Sequence, residues 1–375
     1  MKVGIIRDTD EGERRIAITP AIAEKYARHG IAVTIESGIG EHLGFTAEAF
    51  RKAGAEVADR TLVLRSADLI AQVSVPSGED IAAMKKGSLH ISFFDPAADP
   101  AIVEQFCEQG VSVISMNYIP RSTYAQKMDA LSSQANLAGY VAVLLGASRS
   151  SRILPMMTTP AGTIKPLNVF VIGAGVCGLQ AIATAVRLGA RVTAFDTRPV
   201  VAEQIRSLGA KFLETGVSGE QGENGYAREM TPERLRAQRD AMADMCARSD
   251  LIITAAQVFG RKAPVLVTKE MIGRMKRGTV IVDTAMESGG NVEGSVADRE
   301  VGINGVLIEG FRNLPSRVGA DASEMFASNV LNMILEIYSE QSSALVIDTT
   351  NEIVNACLVI HEGKTRGALA AKAVA

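Results

Sequence analysis

The sequence predicts an α/β protein of two doubly wound domains, the first interrupted in sequence and closed by the C-terminal residues. Three observations carry that prediction. Short β-branched runs alternate with helical segments along most of the chain, the pattern of a parallel sheet covered on both faces. One strand, Asn168–Ile172, runs straight into a glycine turn and an apolar helix. The length of 375 residues suits two or three domains.

The elements follow in order. Lys2–Ile6 reads as a strand, Pro20 to His29 as a helix with proline in its first turn, and Ile31–Glu36 as a strand. Thr46 to Ala53 reads as a helix and Ala67–Val75 as a strand. Gly38, Gly40 and Gly44 lack the spacing of a phosphate-binding turn and read as turn residues. Beyond Ser323 a helix runs to about Glu336 and a strand-like Ala344–Ile347 follows; this segment is expected to return to the first domain. The domains are then 1–130 plus 322–375, and 131–321.

The second domain carries the strongest local signal. Gly173-x-Gly175-x-x-Gly178 follows the strand Asn168–Ile172, Leu179–Leu188 has helical character with Gly189 as its cap, and Arg191–Phe195 is the next strand, ending at Asp196. In such a turn the first glycine allows the sharp bend, the second lets backbone approach a pyrophosphate, and the third lets helix pack on strand. The helix N-terminus adds unpaired N–H groups and a positive dipole end. Asp196 lies 23 residues after Gly173, where a carboxylate binds the adenine ribose hydroxyls. That contact contributes roughly 1.5–3 kcal/mol, and the same charge repels a 2′-phosphate. The domain therefore reads as Rossmann-like, with NAD(H) expected over NADP(H), although Arg198 could pair with a phosphate. Asp250–Thr254, Thr279–Asp283 and Gly305–Glu309 read as further strands, and the small residues Ala255, Ala256 and Ala285 suit a cofactor lying across the sheet edge. Candidate nucleotide contacts are Gly173, Gly175, Val176, Cys177, Gly178, Asp196, Thr197, Arg198, Ala255 and Gln257. Between Glu214 and Arg239 the alternation fails, which reads as a mobile surface loop leading into a charged helix.

Composition limits the partners. With 39 Lys+Arg against 42 Asp+Glu the formal charge is −3, which argues against a nucleic-acid protein. Cys107, Cys177, Cys246 and Cys357 lie far apart, so neither a disulfide framework nor a metal site is indicated, and reduced thiols of a cytoplasmic protein are expected. The N-terminal MKVGIIRDTDEGERR has no apolar core of a secretory signal. Leu167–Val186 is long enough to cross a bilayer, but its glycines and β-branched onset fit a buried strand turning into a buried helix. With no other apolar run approaching that length, the chain is expected to be soluble.

Between the domains, Arg121, Gln126, Asp129 and Ser132 precede the apolar stretch Leu137–Leu145. On a helix Gln126, Asp129 and Ser132 would share one stripe. Their donors and acceptors suit a nicotinamide or ribose, and equally suit a solvated helix face.

Several long motifs resemble the alanine dehydrogenase/pyridine nucleotide transhydrogenase superfamily, over nearly the whole chain. Gly12-Glu-Arg-Arg-Ile-Ala-Ile-Thr-Pro20 is similar to its N-terminal motif. Leu154-Pro-Met-Met-Thr-Thr-Pro-Ala-Gly-Thr163, leading into Gly173-Ala-Gly-Val-Cys-Gly-Leu-Gln-Ala-Ile-Ala-Thr184, looks like the nucleotide domain of the transhydrogenase branch. Pro120-Arg-Ser-Thr-Tyr-Ala-Gln-Lys-Met-Asp-Ala-Leu-Ser-Ser-Gln-Ala-Asn-Leu-Ala-Gly139 resembles that branch's nicotinamide-side loop, which implies site roles for Arg121, Gln126, Asp129 and Ser132. Gly225-Tyr-Ala-Arg-Glu-Met230 resembles its mobile loop, with Gly225 and Tyr226 as contacts.

The branches differ in chemistry. In the alanine dehydrogenase branch a Lys and a His handle an oxo acid; the matching stretches here, Gln72-Val-Ser-Val-Pro76 and Phe94-Asp-Pro-Ala-Ala-Asp99, put Ser74 and Asp95 in their place and keep only Arg15. Reductive amination needs a group that exchanges protons near neutral pH, whereas hydride transfer between two nicotinamides needs only two rings held close. The resemblance thus implies the NAD(H)-binding component of a proton-translocating transhydrogenase, working with membrane-embedded and NADP(H)-binding partner subunits. It also implies a homodimer, peripheral on the inner face of the cell membrane through those partners. The alternatives are an alanine-dehydrogenase-type amino-acid oxidoreductase with an atypical site and a non-catalytic NAD-binding protein.

Overall fold

The structure, a computed structural model, describes residues 1–215, 232–257 and 261–366. It divides into two compact units, Met1–Gln134 with Ser316–Ala375, and Ala135–Pro315. Both divisions fall a few residues from the boundaries expected at 130/131 and 321/322, because side-chain bonds hold the flanking residues in the first unit. Gln134, in the first turns of the helix Ala130–Arg149, accepts from Arg15 and donates to the Ala322 carbonyl. The Ser316 hydroxyl accepts from the Arg14 N–H and donates to Glu13.

In the first unit the parallel strands are β1 (Lys2–Ile5), β2 (Ala32–Glu36), β3 (Glu56–Ala58), β4 (Leu69–Ala71), β5 (Leu89–Ser92) and β6 (Ser112–Ser115). They lie in the order β3-β2-β1-β4-β5-β6. Helices cover both faces, which is why these strands are apolar on both sides. Side-chain N-caps start the helices: Thr19 accepts from the Ile22 N–H ahead of Pro20–Arg28, and Ser77 with Asp80 forms a reciprocal capping box. The C-terminal residues do close this sheet, but through a different segment from the one expected. Among the described residues Ala344–Leu345 pairs only with Tyr338–Ser339, whereas Leu358–His361 runs antiparallel to β6 and carries Lys364–Thr365 on its outer edge. The strand follows the helix Glu352–Cys357 without a break. A continuous apolar run of this kind does not reveal by its period where helix ends and strand begins.

The second unit begins with the hairpin β7 (Met157–Thr159) and β8 (Gly162–Ile164). Its main sheet contains β9 (Asn168–Ile172), β10 (Arg191–Phe195), β11 (Lys211–Phe212), β12 (Leu251–Thr254), β13 (Val280–Asp283), β14 (Glu300–Ile303) and β15 (Val306–Glu309). The order is β11-β10-β9-β12-β13-β15, parallel throughout, with β14 antiparallel on the edge. The winding is that of the first unit: the connections reverse between the first and fourth strands, here β9 and β12. Both units are doubly wound α/β domains of the Rossmann type.

One sequence expectation needs correction. The helix Ala130–Arg149 is also long and apolar enough to cross a membrane, so Leu167–Val186 is not alone in that respect. Its composition has a packing cause within the second unit. Val141, Ala142, Val143 and Leu145 are buried, and a Cβ on Gly139 would overlap the Cys177 carbonyl oxygen. This is close helix–helix contact, which needs small and apolar residues.

Candidate nucleotide site

The crevice of the second unit opens where β9 and β12 end, and each glycine of the turn has a distinct geometric reason. Gly173 has φ 97°, and a Cβ there would lie 2.7 Å from the Ala255 carbonyl oxygen, so it serves both the bend and the approach of the two strand ends. A Cβ on Gly178 would overlap the Gly173 carbonyl oxygen, so only glycine lets the helix sit this close to the strand. Gly175 differs, since nothing lies within 4 Å of where its Cβ would be. It precedes the twelve-residue helix Val176–Arg187, and no side chain caps that end. The turn thus presents open space beside orphan N–H groups, which fits a pyrophosphate.

Asp196 follows β10, its side chain 8% exposed. It accepts from the Ala174 N–H at 2.8 Å, the Arg198 N–H at 2.9 Å, and Arg198 Nε and Nη2 at 3.0 Å each. Burial pushes this carboxyl up, but the Arg198 guanidinium and the two backbone donors outweigh that and hold it below the usual carboxylate range. Thr197 is exposed. Val176 is exposed at the start of the helix, while the Cys177 thiol, 3.6 Å from Thr284 Oγ1, is pushed up to about 11 by burial and stays neutral at pH 7.

On the β12 side the loop Ala255–Gln257 is braced by residues that sequence reasoning did not single out. Asp283, fully buried at the end of β13, accepts from Thr254 Oγ1 and from the N–H groups of Ala285, Asn291 and Val292. Asn291, also fully buried, accepts from the Ala256 N–H and donates to the carbonyls of Ala256 and Pro264. Gln257 donates to the Thr284 carbonyl at 3.1 Å. A polar Asp–Asn–backbone network thus fixes the floor under Ala255 and Gln257. The available signal was an aspartate closing the apolar run Val280–Val282; Asn291, in a polar glycine-bearing stretch, carried none.

The second candidate set lies in the first unit, and it is not one helical stripe. Gln126 belongs to a 3-10 turn, Ala125–Met128, and its side chain is exposed. Asp129 interrupts the winding and caps the helix Ala130–Arg149, accepting from the Ser132 N–H at 2.9 Å and from Ser132 Oγ at 2.6 Å. The local cause is an aspartate three residues before a serine at a helix start. The structure therefore joins Asp129 to Ser132 and leaves Gln126 and Arg121 exposed on the preceding turn. Gly225 and Tyr226, and most of the segment Glu214–Arg239, lie outside the described residues.

Arg15, the residue retained at the position of an oxo-acid site, is buried and bonded through all three of its side-chain nitrogens. Its Nε and Nη2 bond Glu13 at 2.8 and 2.6 Å, and Nη1 bonds Gln134 at 3.0 Å. The Ser74 N–H donates to Asp8 at 2.7 Å, and Asp95 accepts from the Tyr118 hydroxyl.

A doubly wound sheet with a bare glycine turn, an uncapped helix and an ionised acid at its switch point defines a Rossmann-type dinucleotide-binding fold. Comparison with known proteins narrows this. Residues 4–138 match the alanine dehydrogenase/PNT N-terminal domain and residues 142–367 the alanine dehydrogenase/PNT C-terminal domain. The chain belongs to that family. It is 39% identical to the NAD(P) transhydrogenase subunit alpha of Cereibacter sphaeroides, over 97% of this chain and 70% of that one. In Rhodospirillum rubrum that subunit is named in parts, and its first part is 39% identical to this chain over 97% of each. The crystal structure of a transhydrogenase from Sinorhizobium meliloti superposes with a TM-score of 0.89 at 39% identity, covering 97% of this chain and 100% of that one.

Proposed function

We propose that this chain is the NAD(H)-binding subunit of a membrane-associated NAD(P) transhydrogenase. It passes hydride directly between NAD(H) on this chain and NADP(H) on a partner subunit, coupled to proton translocation in the membrane part. The state of Arg15 carries the choice between branches. A buried guanidinium whose charge is already paired with Glu13, and which also bonds Gln134, is a weaker receptor for an oxo-acid carboxylate, and Ser74 supplies no group that exchanges protons near pH 7. The nucleotide, when bound, supplies the hydride. The chain's own residues bind and orient: Gly173–Gly178, with Val176 and Cys177, receive the pyrophosphate at the helix N-terminus, and Asp196, Thr197 and Arg198 face the adenine ribose. Ala255 and Gln257 line the crossing point, and the resemblance adds Gly225 and Tyr226, outside the described residues, as further nucleotide contacts. Arg121, Gln126, Asp129 and Ser132 orient the nicotinamide, with Ser132 held by Asp129 so that its hydroxyl points one way.

The hairpin β7–β8 supports a homodimer. All six of its strand residues are exposed, Met156 beside it is 64% exposed, and Ile153, Met157 and Ile164 add apolar surface. An isolated two-stranded hairpin is marginal in water, and open edges with apolar side chains call for a partner. Attachment is then peripheral, on the inner face of the membrane, through the partner subunits.

The test mixes the chain, NADH and a recombinant NADP(H)-binding component, and follows hydride transfer to an NADP⁺ analogue. Transfer without any 2-oxo acid is expected. Ammonium- and pyruvate-dependent NADH oxidation by the chain alone would defeat the proposal in favour of an amino-acid dehydrogenase. Nucleotide binding with neither activity would leave a non-catalytic binding protein. Gln126→Asn is expected to slow transfer more than it weakens NADH binding.

A further inference from the structure

An ionised carboxylate offers about four lone-pair positions. At Asp196 four N–H groups already point at them. Two are backbone donors of the folded turns, Ala174 and Arg198. The other two, one on each carboxylate oxygen, come from the Arg198 side chain, which is 40% exposed. Among the described residues, and apart from Asp196, the Arg198 side chain has only a 3.4 Å bond to the Ala174 carbonyl.

The first unit supplies an internal contrast. Glu36 ends β2 and is the topological counterpart of Asp196, even to accepting the backbone N–H of Arg7, two residues beyond the end of β1. Glu36 has two arginine partners: the exposed Arg7, at 3.2 Å, and Arg60, which comes from another element and is also held at 2.8 Å by both oxygens of Asp80. That guanidinium is locked between two carboxylates. Arg198 is held by one carboxylate two residues away, and swinging out breaks one ion pair whose guanidinium is already partly exposed, with the long bond to Ala174.

We infer that Arg198 is a displaceable internal ligand of Asp196 and the residue that sets how sharply this site discriminates between NAD(H) and NADP(H). Its two side-chain donors stand where the two hydroxyls of the ribose diol would donate, so its release opens one acceptor on each oxygen. The released guanidinium remains at the same ribose edge, where it would pair with a 2′-phosphate bidentately. Arg198 therefore weakens NADH binding by competition and improves NADPH binding by attraction. This rests on the proposed placement of the adenine ribose at Asp196.

The experiment is calorimetric titration of the full chain with NADH and with NADPH, for the wild type, Arg198→Ala, Arg198→Lys and Asp196→Asn. Arg198→Ala is expected to bind NADH about threefold to tenfold more tightly and NADPH about tenfold more weakly. Arg198→Lys, which keeps the charge and loses the fork, is expected to tighten NADH while holding NADPH within about threefold of wild type. Equal weakening of both nucleotides by Arg198→Ala, or no change in either, would overturn the inference and leave the ribose placement intact. NADH affinity unchanged in Asp196→Asn would overturn the ribose placement itself, and the inference with it.

Discussion

In both units the sheet reverses direction between its first and fourth strands, but the residues beyond those strands differ. After β9 come Gly173, Ala174 and Gly175, with a helix beginning at Val176. After β1 come Ile6, Arg7 and Asp8, and the next helix starts only at Pro20. The N–H groups beyond β4, those of Val73 and Ser74, are already taken by the Asp8 carboxylate, at 3.2 and 2.7 Å. Nearby, Arg15 and Glu13 satisfy each other. The first unit thus fills its crevice with its own side chains, and the second leaves its crevice open over Gly175. Topology supplies a crevice at the switch point in each case. Whether a ligand has room and donors there is decided by a handful of side chains.

The contrast can be broken from either side. The largest effect is expected from Gly178→Ala, which forces a methyl onto the Gly173 carbonyl. Calorimetry should show loss of NADH binding, and thermal unfolding a destabilisation of about 3 kcal/mol or more; wild-type behaviour would mean that the helix need not sit close to β9. Glu13→Gln strands the buried Arg15 charge and should cost about 3 kcal/mol at pH 7 in denaturant unfolding. Burial raises the Glu13 carboxyl, but the Arg15 guanidinium and other donors outweigh this and lower it. Its contribution is therefore present above the unfolded carboxyl range and lost as pH falls through the folded value, so the difference between mutant and wild type should shrink in acid.

Asp8 has the opposite sign. Burial, with Glu13 adding repulsion and the Ser74 and Val73 N–H groups opposing, leaves it raised to about 6. A carboxyl raised in the folded state makes stability fall as pH rises from about 4 to about 6, by on the order of 2 kcal/mol. Asp8→Asn should flatten that part of the profile, and an unchanged slope would show that the fill of the first crevice is not ionisable. The smallest effect is expected from Gly175→Ala. Its unfolding midpoint should match wild type, because nothing surrounds the new methyl, while NADH affinity drops about tenfold, or about 1.4 kcal/mol. Unchanged affinity would place the phosphates elsewhere.

Much of the second unit was legible in advance because its signals are local. Strand, glycine turn, helix and acid lie within Asn168–Asp196; Gly178 meets Gly173 close in sequence, Gly173 meets Ala255 at the adjoining strand end, and Gly175 faces open space. The pairing of Asp129 with Ser132 was not legible, since a shared helical stripe and a cap use the same spacing. Nor was the role of Leu358–His361, because the end of a buried helix and the start of a buried strand read alike.

The sequence by itself determined the α/β alternation, the site of the glycine turn and the position of Asp196, because period, turn chemistry and short-range spacing act within a few residues. Only the tertiary structure decided that Asp8 fills the first crevice, that Glu13 and Gln134 occupy Arg15, and that Asp283 and Asn291 brace the floor under Ala255 and Gln257. It also decided that Arg198 saturates Asp196. Most of these contacts join residues far apart in the chain, and all depend on which donors folding brings within reach of a buried acceptor, which no local pattern encodes.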